Sequence, residues 1–128
     1  MARILVVEDE DALRRTITLL LARRGHEIAE ADGVEAAEEA LAAAPGEFDL
    51  IVLDLNLPDR TGWDLMRDLA RRVTPPAVIV ITAVRPLQRR LDEFHPDGLL
   101  IKPFPIDALV RLIERVLGRS HEPAAARG

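Results

Sequence analysis

The 128-residue sequence contains no cysteine and one lysine, only 3% of it is aromatic, and its longest unbroken apolar runs are five residues, Ala40 to Ala44 and Ala77 to Ile81. Without cysteine there are no disulfides, no thiolate catalysis and no cysteine-zinc sites. Five apolar residues fall far short of the roughly 20 that a membrane-spanning helix needs. A basic excess is also missing: 17 basic against 22 acidic side chains leave a net charge of −5, with the signs mixed along the chain. That balance disfavours direct binding to nucleic acid or to an anionic lipid surface. The short N-terminal apolar run leads into Glu8-Asp9-Glu10-Asp11, which no signal peptide would contain, so the expected location is the cytoplasm. No internal repeat or long low-complexity stretch is present.

What remains is a mix of 48% hydrophobic and 30% charged residues, which suits one globular domain with a continuous core. Apolar runs of strand length alternate with segments of helical period, and that alternation predicts an α/β fold. Ile4 to Val7, Leu50 to Leu53, Val78 to Ile81 and Leu99 to Ile101 are continuous and mostly β-branched or leucine, as strands covered on both faces must be. Glu27 to Ala31 alternates polar with apolar and is expected at a sheet edge. Helices are predicted over 11–24, 34–44, 62–72, 86–94 and 106–117. Gly25 provides a stop for the first, Pro86 suits a first helical position, and Gly118 suits a C-terminal cap. Right-handed crossovers make all five strands parallel, in the doubly wound flavodoxin-like order 2-1-3-4-5, with helices on both faces. The domain is expected over 1–118, followed by a frayed, flexible tail over 119–128.

Four of the apolar strands end in polar residues: Glu8 and Asp9, Asp54, Thr82 and Lys102. Parallel geometry brings those ends to one sheet edge, where ligand sites of such folds lie. Each residue also has a local reading. Asp9 or Asp11 caps the first helix, Asp54 closes an Asx turn before Leu57-Pro58, and Thr82 bonds its own turn. Lys102 is the only lysine beside 16 arginines, which is either a coding bias or a position that needs a compact ammonium. Two carboxylates about 4 Å apart repel by about 4 kcal/mol at an effective dielectric near 20, so three together need a cation or a shared proton. All-oxygen ligands in a small acidic pocket suit Mg²⁺, which in turn draws a phosphoryl group. Lys102 and Thr82 would meet further phosphoryl oxygens, leaving Asp54 as acceptor. His26, His95 and His121 match no metal spacing and are read as surface residues; Trp63, Leu65, Met66 and Leu69 are read as packing.

Read in order, Ile4-Leu5-Val6-Val7-Glu8-Asp9-Glu10, Asp54-Leu55-Asn56-Leu57-Pro58 with Gly62, Ile81-Thr82-Ala83 and Lys102-Pro103-Phe104 resemble the receiver domain of two-component response regulators, of the chemotaxis-regulator type. The match spans Arg3 to Leu117. The resemblance implies that Asp54 takes a phosphoryl group from a phosphohistidine on a sensor kinase or phosphotransfer protein. It also implies that Asp9, Asp54 and the backbone carbonyl of Asn56 bind Mg²⁺, with Glu8 acting mainly through a water molecule. Thr82 and Lys102 take the switching and phosphoryl-contact roles, and Lys102-Pro103 carries a cis peptide bond. Such a domain catalyses its own phosphorylation and dephosphorylation rather than turning over a substrate.

Three features depart from that pattern. Leu99 stands at the usually aromatic switch position, the segment from Thr82 to Lys102 is about two residues short, and His95-Pro96-Asp97-Gly98 replaces Gly-Ala-Asp-Asp. Helix four is therefore expected to be truncated or irregular. No output domain is expected after Leu117, leaving either a stand-alone receiver or an excised one. Two other classes share parts of the pattern. A Mg²⁺-dependent aspartyl phosphatase resembling the haloacid dehalogenases needs Asp-x-Asp after the first strand, whereas Asp54 follows the third and Asn56 lacks the general acid. In a flavodoxin-like cofactor binder, Glu8 to Asp11 would repel the flavin phosphate.

Overall fold

The computed structural model describes residues 1–120. Strands and helices alternate strictly: β1 (Arg3–Val7), α1 (Asp11–Arg23), β2 (Glu27–Ala31), α2 (Val34–Ala43), β3 (Leu50–Asp54), α3 (Gly62–Ala70), β4 (Ala77–Thr82), α4 (Gln88–Phe94), β5 (Gly98–Ile101) and α5 (Ile106–Ser120). The five strands form one parallel sheet in the order β2-β1-β3-β4-β5, with the half-exposed β2 at an edge as its alternating sequence predicts.

Side-chain alternation along the central strands divides the core into two layers. Leu5, Val7, Ile51, Leu53, Val78 and Val80 pack with Val34, Ala37 and Leu41 of α2 and Leu65, Met66 and Leu69 of α3. Ile4, Val6, Leu50, Val52, Ile79 and Ile81 pack with Ile17 and Leu21 of α1 and Leu109, Ile113, Val116 and Leu117 of α5. Helix α4 differs from the other four in burying no residue at all. It has seven residues and is attached to the α2–α3 layer through the partly buried Phe94, whose ring stacks on that of Trp63 with centroids 5.0 Å apart. Trp63, Leu65, Met66 and Leu69 are packing residues, as expected.

Local signals were correct at some helix ends and wrong at others. Gly25 adopts φ +91° and its N–H donates to Ala22, ending α1. The residue that caps the start of α1 is Glu10, in extended backbone and without a side-chain bond, so neither Asp9 nor Asp11 is the cap. Pro86 does not open α4: Leu87 is the cap residue and the helix starts at Gln88, confirming the expected shortening. Gly118 does not end α5, which runs through it to Ser120. The core packing of Leu109, Ile113, Val116 and Leu117 outweighs the roughly 1 kcal/mol that one helical glycine costs. The rest of the expected tail, including His121, lies outside the described residues.

Of the two described histidines, His95 is an exposed C-cap with φ 49°. His26 is half-buried rather than a surface residue, and its Nδ1 accepts the N–H of Ala2 at 3.0 Å. Burial, the largest cause, holds its pKa below the ordinary value of 6.5. An Nδ1 that accepts this N–H carries no proton, so the bond belongs to the neutral ring. A lowered folded pKa means that the unfolded chain binds the proton more tightly. This contribution to stability is complete above about pH 6.5 and is lost as pH falls through the folded value. Urea unfolding should show a steeper loss of stability as pH falls below about 6.5 in the wild type than in His26→Leu. Parallel profiles would place the acid sensitivity elsewhere.

Candidate functional site

Each candidate side chain stands just past, or at, the carboxyl end of a strand. Glu8 follows β1, Asp54 ends β3, Thr82 ends β4 and Lys102 follows β5. Glu8, Asp54 and Thr82 are the only buried polar or charged residues among those described. Burying such groups is costly unless they are paired, so their placement together is specific.

Lys102 is the partner that two of them share. Its Nζ lies 2.7 Å from Glu8 Oε1 and donates to Asp54 Oδ2 at 3.2 Å. Burial works against its charged form, but Glu8 and Asp54 outweigh that effect and hold its pKa above the ordinary lysine range. Glu8 is pushed up to about 7, first by desolvation and then by Asp54, against the pull of Lys102 and the Glu10 N–H. Two carboxylates crowding one ammonium leave the pocket short of positive charge.

The exposed Asp9 completes an acidic triad. Glu8, Asp9 and Asp54 each offer a carboxylate oxygen, all within 4.8 Å of one another. Glu8 Oε1 is buried and, despite its ion pair, receives no well-aligned hydrogen bond. An orphaned buried oxygen within a set of hard oxygen donors fits a Mg²⁺ site. Asn56 lies in the loop that follows, and its N–H donates to Asp54 Oδ1 at 3.0 Å, as an Asx turn requires. Asn56 also bridges to Thr61, closing the loop on itself. Gly62 is required behind it, because a Cβ there would lie 2.8 Å from the Asp54 carbonyl oxygen and 3.0 Å from Leu55 Cα.

Thr82 is at the site but turned to its own loop. Its hydroxyl donates to the Val84 carbonyl at 3.0 Å and accepts the Val84 N–H at 3.3 Å, while its carbonyl accepts the N–H of Lys102 at 2.8 Å. Leu99 is half-buried against the α2–α3 layer, on β5, with β4 between it and the strand that ends in Asp54. The peptide bond between Lys102 and Pro103 is cis. Sequence reasoning missed Arg14, whose Nη1 donates to the Glu8 carbonyl at 2.8 Å while pairing with Asp11 and Glu30. The i,i+3 spacing from Asp11 was a visible signal; the pairing with Glu30 required the fold.

Comparison with known proteins agrees with this geometry. The family model of the response regulator receiver domain matches residues 4–114. The transcriptional regulatory protein PdtaR of Mycobacterium tuberculosis is 33% identical over 98% of this chain, which covers 62% of that protein. The chain spans less than two thirds of the length of such curated relatives, covering 54% of the response regulator ArlR of Staphylococcus saprophyticus. Among solved structures, the non-phosphorylated HemR receiver domain of Leptospira biflexa superposes with a TM-score of 0.84 at 32% identity, covering 91% of this chain and 94% of that one. Response regulator protein TrrA of Thermotoga maritima, in complex with Mg²⁺-BeF, gives a TM-score of 0.78 at 28% identity, covering 91% of this chain and 99% of that one. From sequence, sheet order and the convergence of acids on one lysine alike, the chain belongs to the response regulator receiver domain family.

Proposed function

We propose that residues 1–118 form the phosphoacceptor of a two-component relay, in which Asp54 takes a phosphoryl group from a phosphohistidine on a sensor histidine kinase or a histidine phosphotransfer protein. The observation that carries this reading is the single ammonium of Lys102 placed on both Glu8 and Asp54, beside the carboxylate of Asp9. An Asp54 carboxylate oxygen attacks phosphorus, forming the P–O bond of an aspartyl phosphate. The P–N bond to the donor imidazole breaks, and the ring nitrogen keeps the electron pair. Lys102 stabilises the negative charge on the phosphoryl oxygens, and the Asn56 N–H orients Asp54 through Oδ1.

Asp9, Asp54 and the main-chain carbonyl of Asn56 would hold Mg²⁺, with Glu8 contributing through water; the ion supplies charge neutralisation to the transferring group. Thr82 becomes the switch when its hydroxyl leaves Val84, with Leu99 as packing beside the moving segment. The surface that changes lies near α4, and its target is a protein rather than nucleic acid or membrane. The chain promotes its own phosphorylation and dephosphorylation and turns over no separate substrate.

Incubation with acetyl phosphate and Mg²⁺ should add one phosphoryl group per chain, mapped by mass spectrometry to the peptide carrying Asp54, and EDTA should prevent it. Full uptake in EDTA, or on another residue, would overturn the assignment. Catalytic turnover of small phosphomonoesters would favour the aspartyl phosphatase instead.

A further inference from the structure

The loop that carries Asn56 is held from outside by a side chain with no role in the chemistry described so far. Asp59 is an exposed residue, where a carboxylate would ordinarily be left to water. Instead it accepts three main-chain hydrogen bonds: Oδ1 from the Val34 N–H at 3.0 Å, Oδ2 from the Glu35 N–H at 2.9 Å and Oδ1 from its own loop, the Arg60 N–H at 2.9 Å. Val34 and Glu35 form the first turn of α2, whose cap residue, Gly33, provides no side-chain bond. Asp59 therefore caps a helix that begins 25 residues earlier in the chain, using the donors that every helix start leaves open. These amides, with those of Glu35 and Val34 the strongest, hold its pKa below the usual aspartate value.

Two neighbouring features show that the junction is built around this carboxylate. A Cβ on Gly33 would lie 2.8 Å from Asp59 Oδ1, so glycine at the cap is what leaves room for the strap. Arg60, next in the loop, pairs with Glu38 on the following turn of α2. On the other side, the Ala31 carbonyl at the end of β2 accepts the Glu8 N–H at 3.0 Å. The start of α2 thus lies between the anchor of Glu8 and the loop of Asn56. That loop is closed by the bridge between Asn56 and Thr61, leaving little slack between Asp59 and the Asn56 carbonyl.

We propose that Asp59 is a positioning residue for the metal site, strapping the loop that presents the Asn56 carbonyl to the first turn of α2. The proposal rests on the assignment of that carbonyl as a Mg²⁺ ligand. Partners that orient a ligand commonly change metal affinity tenfold or more when removed. The strap acts on the ligand's position and touches neither the metal nor the phosphoryl group.

Calorimetric titration of Mg²⁺ into the unphosphorylated chain tests this without any reaction. Asp59→Ala should weaken binding about tenfold. Gly33→Ala should do the same from the opposite side, because its methyl group displaces the Asp59 carboxylate; φ −169° at that position suits any residue. The double variant should bind no more weakly than either single one, since both remove the same strap. Should Asp59→Ala fail to fold, Gly33→Ala against wild type carries the test. Unchanged affinity in the variants, even with a lowered melting temperature, would overturn the proposal, as would losses that add in the double variant. A wild-type chain that takes up no Mg²⁺ would overturn the metal assignment itself; normal wild-type binding with insensitive variants would overturn only the strap.

Discussion

Replacing Lys102 with arginine should slow phosphoryl uptake by about a hundredfold although the charge is retained, and replacing Asp54 with asparagine should abolish it. One ammonium, with its side chain 21% exposed, spans Glu8 Oε1 at 2.7 Å and Asp54 Oδ2 at 3.2 Å. A guanidinium distributes its charge over a planar fork and cannot place a single point charge between those oxygens. Loss of one group aimed at developing charge typically costs 10²–10³ in rate, about 2.7–4 kcal/mol. The fully buried Glu8, already pushed up to about 7 by desolvation, would also lose the close ammonium contact that favours its charged form. Asparagine at 54 offers no anionic oxygen to attack phosphorus. Phosphoryl uptake followed by mass spectrometry at saturating acetyl phosphate and Mg²⁺ gives both rates. An arginine variant at the wild-type rate would reduce the lone lysine among 16 arginines to an accident of composition.

The site was legible because parallel topology turns strand ends into neighbours. Glu8, Asp54 and Lys102 are far apart in sequence, yet each follows or ends an apolar run, and the sheet order brings them together. The edge position of β2 was legible for the same reason, since alternation records one-sided burial. Where the sequence misled, a local rule lost to a tertiary contact. Gly118 has the composition of a cap, but α5, anchored in the core through Leu117, runs past it to Ser120. His26 matches no metal spacing, yet it seats the Ala2 N–H across the sheet edge. Asp59 has no local signature whatever, because the helix it caps starts 25 residues earlier. The stacking of Trp63 on Phe94 likewise joins two helices whose sequences show only isolated aromatics.

The weak attachment of α4 sets the expected path of the signal. In the unphosphorylated fold, the Thr82 hydroxyl is committed to both main-chain groups of Val84. For that hydroxyl to donate to a phosphoryl oxygen on Asp54, its bond to the Val84 carbonyl must break, and the released loop leads directly into α4. Nothing in the helix resists strongly: it buries no side chain, and Leu87 at its start is 61% exposed. A fully buried leucine or isoleucine contributes about 1.5–3 kcal/mol, whereas the stack of Phe94 on Trp63 adds about 0.5–1.5 kcal/mol beyond its area. Regions with so few buried contacts open and reorder most easily. Leu99, half-buried in the same layer as Phe94, has no ring to sweep and no hydroxyl to exchange, so it follows the movement as packing. Backbone NMR with beryllofluoride and Mg²⁺ should therefore place the largest shifts beyond the site between Val84 and Gly98. The fluorescence of Trp63, the only tryptophan in a chain without tyrosine, should change in step as Phe94 moves. Leu99→Ala should keep both responses. An unperturbed 84–98 segment while other surfaces respond, or loss of the response in a folded Leu99→Ala variant, would show that the signal leaves by another route.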